Sequence, residues 1–174
     1  MLGGIYYFAI FFLNSCSGIS NKQAGNSMDV DSLFVSELTE RQLGESGYRI
    51  SIPADYFIEA SKGEDFEVYY FQPADTTVQA HFSAGVYFGN FPHKFNPDND
   101  SCTTETTASK ILGKNAEWTL YNSNGKYLIQ TIVGSGSGES WNKYVHAFGN
   151  ADSIAELPKL FAIFRTIKKV RVND

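Results

Sequence analysis

Cysteine is nearly absent: Cys16 and Cys102 are the two in 174 residues. A fold held by a dense disulfide framework is therefore excluded. No apolar run approaches the roughly 20 residues that a membrane-crossing helix needs. Basic residues are few and scattered, 14 Lys+Arg against 19 Asp+Glu, for a formal net charge of -5. That argues against nucleic-acid binding, which needs a clustered basic face. No internal repeat is visible. What is abundant is apolar and aromatic surface, 43% and 15% of the residues, with 10 Tyr and 14 Phe. This composition belongs to a globular chain, not a disordered one. The length suits one domain, and a chain this long buries about two-thirds of its unfolded surface without metal or disulfide staples.

Chemical motifs are also scarce. His81, His93 and His146 have no partner at metal-ligand spacing. His81 and His146 fall on expected strands, where a surface or hydrogen-bonded role is the plain reading. Asp98-Asn99-Asp100 begins like an EF-hand loop, but Thr103 and Ser109 stand where that loop needs Gly and Glu. Only an irregular calcium-stabilised loop or a plain solvated one is left. Gly134-Ser135-Gly136-Ser137-Gly138 has no Lys-Ser/Thr ending for a phosphate loop, and its central Gly136 replaces the Ser of a nucleophile elbow. Asp100 and Glu105 flank Cys102. Acidic neighbours disfavour the thiolate that a cysteine nucleophile requires.

The N-terminus carries the sharpest signal. Residues 5–13 are uninterruptedly apolar and match the length of a signal-peptide core. Leu13-Asn14-Ser15-Cys16 follows and resembles the lipobox of bacterial lipoproteins. The resemblance implies that a signal peptide, residues 1–15, is cleaved off. Cys16 then receives a diacylglycerol and becomes the lipidated first residue. Acyl chains anchor by burying methylenes, at about 0.8 kcal/mol each. A Cys16–Cys102 disulfide would require the signal peptide to remain. Residues 17–28 (SGISNKQAGNSM) are rich in Ser, Gly and Asn, so residues 16–30 are expected to form a lipidated, flexible tether. A single globular domain is then expected over residues 31–174. Ser17, not Asp, follows the Cys, which by resemblance favours the outer membrane, facing the periplasm.

Within that domain, residues 48–52 alternate apolar and polar before Pro53, as a half-buried strand does. Residues 66–71, 80–88, 117–121, 126–133 and 141–148 also read as strands. Asn122-Ser123-Asn124-Gly125 between two of them is the clearest hairpin, because Asn-Gly tolerates positive φ at both positions. From Ile154 through Leu157, Leu160, Phe161, Phe164 and Ile167 the apolar period lengthens to three and four, giving an amphipathic helix. Pro158 places its start near Leu157 or puts a kink there. A second helix is expected over residues 31–42. Aromatic residues fall on both faces of the expected strands, as in a two-sided core or an aromatic binding surface. Together these give an α+β fold, a mostly antiparallel sheet covered by a C-terminal amphipathic helix.

The order of these elements over residues 48–169 resembles the Mog1/PsbP-like fold. The resembling features are Tyr48 to Pro53, the middle hairpin, Tyr144-Val145-His146-Ala147-Phe148, and a closing helix running into Phe164-Arg165-Thr166-Ile167. The resemblance implies a protein-binding or assembly domain, and the scarcity of chemical motifs adds the expectation that it is non-enzymatic, with no cofactor and no metal. An immunity protein or inhibitor of an envelope toxin or hydrolase is a second expectation, since acidic loops can fill a cationic active site. A hydrolase with an unrecognised site is the third. Asp31-Ser32-Leu33, Asp75-Thr76-Thr77 and Asp152-Ser153-Ile154 resemble bacterial O-glycosylation acceptors, the first being best placed beside the tether.

Overall fold

The computed structural model describes residues 19–23, 32–75, 77, 80–97, 102–136 and 141–170. Eleven strands and two α-helices occur among them. In chain order they are β1 (Ile19–Gln23), α1 (Ser32–Ser36), β2 (Thr39–Leu43), β3 (Tyr48–Ile52), β4 (Tyr56–Lys62), β5 (Phe66–Pro73) and β6 (Phe82–Gly89). There follow β7 (Cys102–Ile111), β8 (Lys114–Ser123), β9 (Lys126–Gly134), β10 (Tyr144–Ala151), α2 (Leu157–Arg165) and β11 (Lys168–Lys169). A 3-10 turn at Ile154–Glu156 leads into α2.

Eight strands form one sheet in the order β1-β7-β8-β9-β10-β6-β5-β4. Every pairing is antiparallel except that of β1 with β7. A smaller antiparallel sheet, β11-β3-β2, packs over it with α2. The structure is thus the α+β fold with a mostly antiparallel sheet and a packed C-terminal helix.

The hairpin at Asn124-Gly125 forms as its residue types require. Both residues have positive φ, +53° and +80°, and Ser123 pairs with Lys126. Glycine carries no Cβ to oppose that geometry, and Asn is among the residues that best tolerate it. Helix α2 begins at Leu157 with Pro158 in its first turn, where the missing N–H leaves no intrahelical bond unmade. Its Leu157, Leu160, Phe161, Ile163 and Phe164 are buried, each worth about 1.5–3 kcal/mol on transfer from water. Trp118 from β8 meets Phe161 edge-on at 5.3 Å and Phe164 at 5.1 Å. Leu160 seats against Gly149 of β10, where an added Cβ would stand 3.1 Å from it. From the small sheet, Tyr48 stacks on Phe88 at 4.8 Å, and the Thr166 hydroxyl accepts the Ser51 N–H at 2.7 Å. Glu40 on β2 pairs with Arg49 on β3 at 3.0 Å and with Lys168 on β11. These two cations, Lys168 foremost, hold its carboxyl below the usual range.

Two expectations differ from what forms. The helix expected over residues 31–42 is only α1, five residues long, and Thr39–Leu43 turns into strand β2. Thr-Glu-Arg-Gln-Leu offers one buried side chain, Leu43, but its backbone pairs with β3 along its whole length. Second, the stretch read as flexible tether contains β1. Its Ile19 and Gln23 lie opposite Thr104 and Thr106 of β7, with an irregularity between them. An edge strand exposes a row of unpaired N–H and C=O groups, and a polar segment can satisfy them without any apolar side chain. The expected signal peptide, Cys16 and the remainder of the expected tether lie outside the described residues.

Candidate functional site

Strand alternation gives the large sheet two faces. Val145, Ala147, Gly149 and Ala151 of β10 point towards α2, with Phe82, Ala84, Val86 and Phe88 of β6. The opposite face carries His146 and Phe148 of β10, Gly85 and Tyr87 of β6, Phe66 and Tyr70 of β5, and Gln130 of β9. Both faces are therefore aromatic, and no helix among the described residues covers the second.

A strap covers part of that second face. Residues 91–97 (FPHKFNP) follow β6 and have no regular structure. Two prolines in seven residues remove donors that a strand would need. The strap is held mainly at Phe95. Its backbone N–H donates to Gln130 Oε1 at 2.9 Å, and Gln130 Nε2 donates to its carbonyl at 2.5 Å. One side-chain amide thus makes the two bonds that a neighbouring strand would make. The Phe95 ring meets Phe148 edge-on at 5.1 Å and His146 at 5.2 Å. Upstream, the Phe91 N–H donates to Tyr87 Oη at 3.1 Å, and Tyr87 itself stacks on Phe66 at 5.9 Å.

Beneath the strap lies a buried polar cluster. Gln130 is 1% exposed and His146 2%. His146 Nε2 lies 3.1 Å from Gln130 Oε1. A carbonyl oxygen only accepts, and the bonds to Phe95 fix which end of the amide that oxygen is. Nε2 must therefore carry the proton. Tyr121 Oη accepts from Gln130 Nε2 at 3.3 Å. Burial first, then electrostatic repulsion from the neighbouring His93 and Lys94, pushes His146 down to about 4. The imidazole is neutral at pH 7. Gly85, opposite Phe148 in register, leaves room for its ring, since an added Cβ would lie 2.5 Å from it.

A cavity of about 220 Å³ opens beside the strap, with Lys94, Glu117, Thr119, Gln130 and Ile132 in its walls. A second of about 440 Å³ lies against α1, walled by Phe34, Leu38 and Pro53 with Glu37 and Asp55. Exposed apolar side chains include Phe91, 78% exposed, and Tyr144, which lies opposite Gly89.

Of the surface and hydrogen-bonded roles expected for the strand histidines, His146 on β10 has the second, while His81, which lies just before β6 and not on it, and His93 are exposed. Among the described residues, no three His, Cys, Asp or Glu side chains are placed to hold a metal ion, and no helix is long and apolar enough to cross a membrane. The Asp98-Asn99-Asp100 loop lies outside the described residues. Cys102 opens β7 and is disulfide-bonded. The chain's other cysteine is Cys16. Glu67, which the sequence pattern did not single out, is buried under Lys62 at 3.0 Å and accepts the Tyr69 hydroxyl at 2.6 Å. Burial, with this carboxylate beside it, pushes that phenol above its ordinary range. Gln130 was also missed. Its one signal is an amide interrupting the apolar run Tyr127-Leu128-Ile129-Gln130-Thr131-Ile132-Val133.

No protein family, no curated protein and no solved structure matches this chain.

Proposed function

We propose that the chain is a lipid-anchored envelope protein whose domain binds other proteins without catalysing a reaction. The observation that carries the binding part is the second sheet face. It is rich in half-buried aromatic side chains, and a short strap stands where the other face has a helix and a second sheet. Tyr, Phe and Trp are the side chains that interfaces favour. The strand into Pro53, the central hairpin and the closing helix support a Mog1/PsbP-like relationship, whose members are mainly binding or assembly factors.

The anchor rests on Leu13-Asn14-Ser15-Cys16. One sulfur cannot hold both a thioether and a disulfide. If Cys16 is the partner of Cys102, the disulfide belongs to the uncleaved chain, and lipidation leaves Cys102 as a thiol. Intact mass spectrometry of protein from the cell envelope separates the two. A mature chain starting at Cys16 with an added diacylglycerol is expected, and Cys16→Ser should leave the membrane fraction. A full-length chain two hydrogens lighter would overturn the anchor. For the binding part, crosslinking in the intact envelope should recover one specific protein; its absence counts against this reading.

A further inference from the structure

We propose that the strap, residues 91–97, is a stand-in for a partner, occupying in cis a site for an extended peptide segment that presents an aromatic side chain. This rests on the protein-binding reading above and names what is bound.

The site is built to read a peptide. Gln130 grips both the N–H and the C=O of one residue, Phe95, so it recognises backbone and not a particular side chain. His146 and Tyr121 meet the same amide from within the sheet, and its two shorter bonds are made only while a peptide lies across it. Beside it, Phe148 and His146 receive an aromatic ring. These are the two parts of strand-type recognition, backbone pairing for affinity and a side-chain pocket for specificity.

The occupant is lightly held. The anchors of residues 91–97 are the Gln130 clasp, the Phe95 ring against Phe148 and His146, the buried Pro97 and the single bond from Phe91 to Tyr87. Its Phe91, His93, Lys94 and Asn96 are exposed. The adjoining cavity, with Glu117, Thr119 and Ile132 of the sheet in its walls, offers further surface along the same line. A partner presenting an extended segment with one aromatic residue makes the same bonds and adds contacts there.

The test uses the strap itself as probe, a synthetic peptide of residues 91–97 titrated against the full chain. In wild type the tethered strap competes at an effective concentration in the millimolar range. Phe95→Ala empties the ring pocket and should bind the peptide at least tenfold more tightly than wild type does. Replacing the peptide's second Phe with Ala should abolish binding, and Gln130→Ala in the Phe95→Ala background should weaken it tenfold or more. Tyr87→Phe keeps every site residue and frees only the Phe91 end, so it should raise affinity several-fold. It decides the matter if Phe95→Ala does not fold. Folded variants that do not bind the peptide, or bind it no better than wild type, overturn the proposal. So does binding that ignores the peptide's aromatic residue. Peptide binding without a crosslinked envelope partner would leave this site standing and remove the broader reading instead.

Discussion

The two faces of the large sheet bury similar side chains by different means. On one, α2 and the small sheet supply continuous apolar partners: Phe161, Phe164, Leu160 and Ile50, with Trp118 of the large sheet among them, are all within 2% of full burial. On the other, Phe95 is one aromatic anchor on an irregular strap, and the polar pair Gln130 and His146 lies beneath it. Apolar packing tolerates acid, salt and small shifts of geometry. A buried amide–imidazole pair is satisfied by particular bonds and in one protonation state. The first face is held by apolar packing; the second depends also on particular bonds and on one protonation state.

The largest effect should come from the first face. Phe164 is fully buried against Trp118. Phe164→Ala should cost about 3–5 kcal/mol, from lost transfer energy and the cavity left behind. That is a large share of a typical stability of about 5–15 kcal/mol. Chemical denaturation followed by Trp118 fluorescence measures it. A loss below about 1 kcal/mol would mean that α2 is not what holds this face.

Next comes acid, acting on the second face. His146 sits near 4 in the folded chain against an ordinary 6.5. The unfolded chain therefore takes up this proton first. The stabilisation is whole above about pH 6.5 and is lost as pH falls through about 4, up to about 3 kcal/mol in all. Carboxylates titrate in part of the same window, so His146→Phe is the comparison. The wild type should lose more stability between pH 7 and pH 4 than this variant does. Equal losses would show that the imidazole under the strap does not titrate with folding.

The third test compares two glycines, one serving each face. At Gly85 an added Cβ meets the Phe148 ring at 2.5 Å and the Tyr69 carbonyl at 3.2 Å. At Gly149 it meets Leu160 and the Ser83 carbonyl at 3.1 Å. Gly85→Ala should cost about 1–3 kcal/mol by overpacking. It should also push Phe148 against Phe95 and loosen the strap, measured as faster proteolysis within residues 91–97. Gly149→Ala should cost less and leave the strap protected. Strap protection unchanged in Gly85→Ala would show that Phe148 does not couple the sheet to the strap.

Which parts of this arrangement were legible in the sequence follows from what holds each in place. Strands β3, β5, β6, β9 and β10, the Asn124-Gly125 hairpin and α2 are fixed by side-chain period and turn chemistry, which a sequence displays. Strands β1, β2 and most of β7 are fixed by backbone pairing at or near sheet edges. Thr103, Thr104, Glu105, Thr106 and Thr107 show no apolar alternation, and β7 still pairs with β8 over ten residues. The turn at Leu112-Gly113 is hidden for a related reason. Leu112 has φ +53°, unusual for such a side chain, and is held there by packing against the core. The candidate site was legible only in part. The aromatic excess and His146 stood out, but Gln130 takes its meaning from Phe95, which is 35 residues away in sequence.

The smallest effect should be Lys159→Ala, on the solvent side of the helix that carries Phe164. Lys159 Nζ reaches Glu156 at 2.9 Å and lies 5.7 Å from the centre of the Phe34 ring. Its side chain is partly exposed, so the ion pair, three residues apart on one helix turn, is screened by water and salt. A cation above an aromatic ring at such a site adds about 0.5–1 kcal/mol. The total loss should stay below about 1 kcal/mol and shrink in high salt. A loss above about 2 kcal/mol that salt does not reduce would carry a different meaning. It would show that Lys159 clamps Phe34, and with it α1, onto α2 through buried contacts. The first face would then have a covering layer fastened from outside as well as packed from within, and its contrast with the strap would narrow.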